Sequence, residues 1–144
     1  MHAMKILAVD PGTRRIGLAA CDEMEWTTRL LPALQEKSQG IWMRQVLDLV
    51  AAEGFACVLL GLPLNMDGSE GPGAKRSRDL ALALEREIQR REISCQVQLW
   101  DERLTTFEAE TRLRERGVAK GKAKTSLDSL AAQVLLEDFL RSRK

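Results

Sequence analysis

The alternation of apolar and polar residues divides the chain into short buried strands and longer helices. Residues 5–9 and 16–21 are almost continuous apolar runs, which predict two buried strands. The turn-forming residues between them predict that the two strands form a β-hairpin. A weaker pattern over residues 26–34 predicts a third strand, which Pro32 disturbs because proline cannot donate a ladder hydrogen bond. The chain therefore opens with antiparallel sheet.

Helical periodicity begins after the third predicted strand. The spacing of Trp42, Val46 and Val50 marks one face of a helix that starts at Ser38, a favoured N-cap residue, and stops at Gly54. A further apolar run predicts a strand at residues 56–61, and a strand is also predicted at residues 96–100. Further helical patterns predict helices at residues 75–91, 105–116 and 126–140. The resulting order is β-β-β-α-β-α-β-α-α. Strands joined through helices are expected to be parallel, so the fold class is α/β, with a mixed central sheet flanked by helices.

Length and composition are typical of one globular domain, and we expect residues 1–144 to form a single unit. Hydrophobic residues make up 44% and charged residues 30%, which excludes disordered and membrane classes. The apolar runs are much shorter than the ~18 residues of a spanning helix, and no signal-peptide pattern precedes them. The expected location is cytoplasmic. Three widely spaced cysteines, Cys21, Cys57 and Cys95, favour reduced buried thiols over disulfides or a zinc site.

Acidic residues occur at three places where a predicted strand ends or a helix begins. Asp10 follows the first strand, Asp101 and Glu102 follow the last, and Asp128 lies near the start of the final helix. Ligands on sheets of this kind bind at the carboxyl ends of the parallel strands, so we expect these carboxylates to converge. Such oxygen ligands suit Mg²⁺ or Mn²⁺, and two ions ~3.5–4 Å apart can activate water for phosphodiester cleavage. The pattern predicts a metal-dependent nuclease.

Each acid also has a simpler explanation. Asp10 begins an Asp-Pro-Gly turn signal, which requires no ligand. Asp101 and Glu102 precede Arg103 and could form an ordinary surface ion pair with it. Asp128 could be only a favourable acid in the first turn of a helix. Strand alternation sends Asp101 and Glu102 to opposite faces, which suggests that one of them is the ligand without showing which.

Small residues after Asp128 favour convergence of the acids. Ala131 and Ala132 would let the start of the last helix pack closely on the sheet and so bring Asp128 toward the other carboxylates. The same helix carries an apolar stripe with helical period, formed by Leu127, Leu130, Ala131, Val134 and Leu135.

Candidate phosphate-binding residues surround these acids. Backbone amides, hydroxyls and guanidinium groups suit phosphate contacts close to a metal. The formal net charge of +1 gives no overall argument, but residues 112–124 hold six basic residues and one acid. This cluster could equally be a solvated face, and the loop after residue 61 could simply form turns. The alternative for this loop is that it faces the substrate. The candidate substrate-binding residues are therefore Gly12, Thr13, Arg14, Arg15, Asn65, Gly68, Arg103, Lys120, Lys122 and Lys124.

Four phrases of the sequence together resemble the YqgF family, also called RuvX. They are Asp10-Pro-Gly-Thr-Arg-Arg-Ile-Gly-Leu-Ala, Gly61-Leu-Pro-Leu-Asn-Met-Asp-Gly-Ser-Glu-Gly-Pro, Asp101-Glu-Arg-Leu-Thr-Thr and Asp128-Ser-Leu-Ala-Ala. The resemblance covers nearly the whole chain. It implies a ribonuclease H-like fold related to the RuvC resolvases, and metal ligands at Asp10, Asp128 and the acid of the Asp101-Glu102 pair. It also implies one of two activities, 5′ maturation of 16S rRNA or resolution of Holliday junctions.

Three classes of function compete. The first is a nuclease acting on structured nucleic acid, either an rRNA precursor, with ribosomal particles as partners, or branched DNA. The second is a nucleic-acid- or ribosome-binding module that does not cut. The third, an actin- or sugar-kinase-like ATPase, is disfavoured because 144 residues leave no room for a second copy of the domain. A junction resolvase needs two symmetric cuts and favours a homodimer, whereas rRNA trimming needs one active centre.

Overall fold

The computed structural model describes residues 4–11, 15–24, 27–35, 38–102 and 129–143. Within these ranges, five strands form one mixed sheet and three helices pack against it. The strands are β1 (Ile6–Pro11), β2 (Arg15–Cys21), β3 (Thr28–Gln35), β4 (Cys57–Leu62) and β5 (Gln96–Asp101). The helices are α1 (Gln39–Glu53), α2 (Pro72–Arg90) and α3 (Leu130–Ser142). The predicted α/β class with a mixed sheet is confirmed.

The sheet has the strand order β3-β2-β1-β4-β5. The pairs β1–β2 and β2–β3 are antiparallel, which confirms the opening hairpin, while β1–β4 and β4–β5 are parallel, as expected of strands joined through helices. β1 and β4 therefore lie in the centre of the sheet, with nearly every side chain buried on both faces. This burial explains why both strands are continuous apolar runs.

The two faces of the sheet carry separate cores. On one face, α1 and α2 pack on alternate strand residues such as Val9, Leu18 and Leu60. On the other face, α3 packs on the intervening residues, among them Ala8 and Leu59. We call the second face the α3 face. Strand residues alternate between the two faces with a period of two.

Local signals in the sequence explain where α1 begins and ends. The Ser38 hydroxyl accepts a hydrogen bond from the Ile41 amide at 3.3 Å, and Gly54 ends the helix with a positive φ of 75°. Both roles are those predicted, because serine caps amides and glycine adopts the left-handed conformation without strain.

Helix α2 begins earlier than predicted. It starts at Pro72, the first helical position, where a missing N–H costs nothing and the fixed φ suits the helix. The Gly-Pro-Gly composition of this segment indicated a loop, and that placement was wrong.

The start of α3 corrects one packing prediction. Ala132 is fully buried against the sheet, as expected, but Ala131 is exposed. Leu130, Val134 and Leu135 are buried as predicted. The predicted helix at residues 105–116, and Leu127 at the start of the predicted stripe, lie outside the described residues.

The three cysteines are free, as predicted. Burial raises the pKa of Cys57 to about 12 and that of Cys95 to about 11, so both thiols stay protonated near neutral pH. No helix in the described part of the chain is long and apolar enough to cross a membrane.

Candidate active site

Asp10 lies near the end of the central strand β1, between two glycines on the neighbouring strands. Its antiparallel partner on β2 is Gly17. On the parallel side, Val9 is the partner of Leu60, so Gly61 stands beside Asp10 on β4. The alternation that sends Ala8 to the α3 face places Asp10 on that face as well. Asp10 therefore has a neighbour without a side chain on each side.

Glu102 fills the space that Gly61 leaves open. A β-carbon built on Gly61 would point to the α3 face and clash with Oε1 of Glu102, and it would lie 2.7 Å from Cδ and 2.8 Å from Cγ. The Glu102 carboxyl thus covers a backbone position on β4, one strand away from Asp10. Glycine within a strand commonly marks such a close approach.

The environment of Glu102 opposes its ionisation. Burial raises the pKa of this carboxyl, and the negative charges of Asp10 and Asp101 raise it further. Glu102 is therefore close enough to Asp10 and to Asp101 to be repelled by each of them. A cation bound between Asp10 and Glu102 would offset both effects.

Asp101 and Glu102 point to different faces. Asp101 is the register partner of Leu62 on β4, and alternation from Leu99 places it on the face of α1 and α2. Trp100, the residue between Leu99 and Asp101, packs against the core of the α3 face. The geometry therefore favours Glu102 over Asp101 as the partner of Asp10.

The acidic residues fit part of a hard-cation site. Carboxylate oxygens are the ligands that Mg²⁺ and Mn²⁺ prefer. Among the residues that the structure describes, however, no three histidine, cysteine or acidic side chains form a group that could hold a metal. Asp128, the further acid predicted, lies outside the described residues. Asp10 and Glu102 would thus supply only part of the ligand set.

Two loop residues predicted to bind substrate have structural roles. Asn65 accepts a backbone hydrogen bond from Gly68 at 2.8 Å, and its side-chain amide donates to the Ser69 hydroxyl at 2.9 Å. Gly68 has a φ of 89°, a conformation that favours glycine. These bonds shape the turn after β4, as the alternative explanation held. Substrate contact by this loop stays a prediction.

Apart from Asn65 and Gly68, the structure describes Arg15 among the residues predicted to bind substrate, and Arg15 lies at the start of β2. Alternation from Gly17 places Arg15 on the same face as Asp10. The other members of the group lie outside the described residues: Gly12, Thr13, Arg14, Arg103, Lys120, Lys122 and Lys124.

Gly61 and Ser129 were not among the predicted site residues. Gly61 had a detectable signal, because it is a glycine within an otherwise fully apolar strand. Ser129, at the start of α3, had none. Its hydroxyl contacts β2 and β3, whose bonded residues are 111 and 98 positions away in the sequence.

Comparison with known proteins identifies the family. The family model RuvX, described as Holliday junction resolvase, matches residues 4–142. The chain belongs to the RuvX family. A relative from Anaeromyxobacter sp. (strain K) is 37% identical over 140 residues, covering 97% of this chain and 98% of its own. One from Halalkalibacterium halodurans is 35% identical over 139 residues, covering 95% and 96%. Both carry the name "Putative pre-16S rRNA nuclease".

Solved structures support the ribonuclease H-like, RuvC-like fold expected of a RuvX protein. RuvC from T. thermophilus in complex with a Holliday junction substrate has a TM-score of 0.55 and 15% identity, covering 98% of this chain and 97% of that one. The Holliday junction resolvase of fowlpox virus has a TM-score of 0.61 and 14% identity, covering 96% and 99%. At these identities the likeness shows the fold alone.

Proposed function

We propose that this RuvX chain is a divalent-metal-dependent nuclease that hydrolyses phosphodiester bonds in structured nucleic acid. The observation that carries the proposal is the Glu102 carboxyl, held over Gly61 beside Asp10 with a raised pKa. Clustered carboxylates that resist ionisation are costly for folding, and such sites are commonly functional. The family description and the names of the relatives support the same activity.

In this proposal, Asp10, Glu102 and Asp128 hold Mg²⁺ or Mn²⁺. A bound cation would supply a water of lowered pKa and would stabilise charge on the leaving oxygen. Arg15 stands on the same face as Asp10 and would contact a phosphate oxygen of the substrate. Residues 1–144 would form one nuclease domain, acting in the cytoplasm.

A 16S rRNA precursor is the substrate that the relatives favour. Relatives at 35–37% identity over almost the whole chain are named for pre-16S rRNA. The second candidate is a Holliday junction, which the family description favours. A homodimer would accompany the second candidate, because a junction requires two symmetric cuts.

The test is cleavage of two labelled substrates, a 16S rRNA 5′ precursor and a four-way DNA junction, in Mn²⁺ or in EDTA. We expect wild type to cut at least one in Mn²⁺ and neither in EDTA. Asp10→Asn and Glu102→Gln should each lower the rate at least ~100-fold, because loss of a ligand should cost no less than loss of a residue that only supports one, typically ~10–100-fold. The preferred substrate would identify the role.

Asp101→Asn is the matched variant for Glu102→Gln, because it removes the neighbouring charge on the opposite face. We expect its rate to stay within ~10-fold of wild type. If both substrates bind equally well in Mn²⁺ and in EDTA and neither is cut, the chain is instead a non-cleaving nucleic-acid- or ribosome-binding module.

A further inference from the structure

Ser129 at the start of α3 has a fully buried hydroxyl that joins the helix to the sheet. The hydroxyl accepts a hydrogen bond from the Leu18 amide on β2 at 2.9 Å. It donates one to the Leu31 carbonyl on β3 at 2.7 Å. The residue is 0% exposed. A single side chain therefore fixes the residue that immediately precedes the helix to two strands.

This arrangement differs from helix capping. A serine before a helix commonly accepts a hydrogen bond from an amide of the first turn, as Ser38 does in α1. Ser129 occupies the N-cap position of α3, but its side chain makes no capping hydrogen bond. Its hydroxyl is bonded to the sheet instead. The helix lacks the stabilisation that side-chain capping would give, and its N-cap residue is instead held in a fixed position on β2 and β3.

The strand residues bound by Ser129 lie next to the acidic site. Leu18 and Leu31 are register partners, at a point where the pairing of β2 with β3 shifts between Ile16 and Leu18. Gly17 lies between Ile16 and Leu18 on β2, and it is the partner of Asp10 on β1. The hydroxyl thus secures an irregular part of the sheet one residue away from the partner of Asp10.

We propose that Ser129 is a positioning residue of the metal site, which holds the start of α3 at a fixed place relative to Asp10. The inference rests on the proposed nuclease function. Asp128 immediately precedes Ser129 in the sequence, and consecutive Cα atoms are only ~3.8 Å apart. In this proposal, fixing Ser129 to β2 and β3 would restrict the position of a metal ligand carried by the preceding residue. Metal ligands need such support, since small displacements weaken binding.

Mn²⁺ binding tests the proposal without requiring cleavage. We would measure the dissociation constant by isothermal titration for wild type, Ser129→Ala, Ser129→Thr and Ser142→Ala. Ser142 is the matched control, because its hydroxyl donates to the Phe139 carbonyl at 2.7 Å near the far end of the same helix. We expect Ser129→Ala to weaken Mn²⁺ binding at least ~10-fold and Ser142→Ala to leave it unchanged.

The threonine variant separates positioning from folding. Ser129→Thr keeps the hydroxyl but adds a methyl group to a filled site, so it should lower the free energy of unfolding and retain Mn²⁺ affinity within ~3-fold. If threonine and alanine weaken Mn²⁺ binding equally, the effect comes from altered folding and the proposal is wrong. Wild-type affinity in Ser129→Ala would also overturn it.

Kinetics on the preferred substrate provide a second readout. At saturating Mn²⁺, we expect Ser129→Ala to lower kcat at least ~10-fold with KM within ~2-fold, because the bound substrate would meet a displaced metal site. If wild type binds Mn²⁺ but cuts neither substrate, the proposed function fails while the Mn²⁺ dissociation constants still judge Ser129. If wild type binds no Mn²⁺, both proposals are overturned.

Discussion

Gly61 has the clearest functional requirement among the residues near Asp10. Its lack of a side chain lets the Glu102 carboxyl lie over β4 on the face that also carries Asp10. Any larger residue at this position would compete with a candidate metal ligand for the same space. Gly61 is needed for the space that it leaves, whereas Gly68 is needed for its positive φ in a turn.

Gly61→Ala should damage the site while sparing the fold. The new methyl group would overlap Glu102, whose flexible side chain can move away, so we expect the free energy of unfolding to change by less than about 1 kcal/mol. The rate of cleavage should fall at least ~10-fold. Both quantities can be compared by urea unfolding and by the cleavage assay.

Gly40→Ala is the control, because a β-carbon at Gly40 in α1 would meet no atom within 4 Å apart from its chain neighbours and the nearby backbone of its own helix. It should keep the wild-type cleavage rate and slightly stabilise the helix. A Gly61→Ala variant that cleaves as fast as wild type would show that Glu102 need not lie over β4.

Glu102 should make stability depend on pH in a specific direction. Its folded-state pKa is raised, so the native state binds more protons than the unfolded state between the ordinary value of 4.5 and the raised value. The stabilising effect of a neutral Glu102 is present below 4.5 and is lost as the pH rises through the folded-state pKa. In EDTA, Glu102→Gln should therefore melt above wild type at pH 7, and the difference should shrink on acidification.

Glu70→Gln provides the control of opposite sign. Hydrogen bonds from Arg78 lower the pKa of the exposed Glu70 carboxyl, so its small stabilising effect exists above 4.5 and is lost in acid. This variant should not melt above wild type at pH 7. If Glu102→Gln behaved like Glu70→Gln, the burial and charge repulsion assigned to Glu102 would be wrong.

The sequence could identify a short list of candidate acidic ligands, but it could not choose between Asp101 and Glu102. Alternation along β5 shows that the two acids face opposite ways. The sequence does not show which of the two acids shares a face with Asp10. β1 is apolar on both faces, so its pattern does not reveal which face Asp10 lies on. The choice required the helices packed on each face, which depend on contacts between distant parts of the chain.

At the level of elements, α3 is tied to the sheet at both edges of the face it covers. The Trp100 indole N–H at the end of β5 donates to Asp138 at 2.8 Å, and its ring meets Phe139 edge-on with centroids 5.1 Å apart. On the other side, Thr28 of β3 donates to Glu137 at 2.8 Å. These contacts keep the helix in one orientation over β1, the strand that carries Asp10.

A double-mutant cycle should detect the tie between β5 and α3. Trp100→Phe removes the indole donor and Asp138→Ala removes its acceptor. A partly buried hydrogen bond to a charged group predicts a coupling free energy of about 1–2 kcal/mol in urea unfolding. The control cycle pairs Trp100→Phe with Glu137→Ala, and its coupling should stay below about 0.5 kcal/mol. Equal coupling in both cycles would contradict a specific bond.

The elements themselves were largely predictable, because most of their signals are local. Hydrophobic period, Ser38 and Gly54 located α1. Apolar runs and weaker strand patterns located all five strands to within a few residues. The errors came from ambiguous composition or from packing. Gly-Pro-Gly looks like a loop but contains the first residue of α2, and the inward side of α3 includes Ala132 rather than Ala131. No local pattern could show that Ser129 bonds the sheet instead of capping its helix.

At the scale of the whole molecule, the two faces of the sheet have different roles. The α3 face carries Asp10 and Glu102, and we call the face covered by α1 and α2 the supporting face. Asp10 and Glu102 lie on the α3 face, near the carboxyl ends of β1 and β5, while α1 and α2 cover the other face. A nucleic acid that reaches the acids must therefore approach the carboxyl edge from the α3 side. Basic residues near the end of α2, where the chain returns to the start of β5, would be remote from its path.

Lys120, Lys122 and Lys124 precede α3 in the sequence and are expected to contact the substrate backbone. Changing all three to alanine should weaken binding of a four-way DNA junction. It should also reduce the slope of log K against log salt by about 1 for each of these lysines that neutralises a phosphate in the wild-type complex. Binding would be measured in the Asp10→Asn background at several salt concentrations, so that cleavage does not interfere.

The matched control replaces three basic residues on the supporting face, Arg44, Arg86 and Arg90, with alanine. It removes the same formal charge, so any effect of net charge alone would be equal in the two triple variants. We expect the control to bind more tightly than the lysine variant and to keep a slope close to wild type. If the two variants lowered the slope equally, binding would follow total charge, and the lysines would have no special place at the site. If the lysine variant kept the wild-type slope, its phosphate contacts would be refuted.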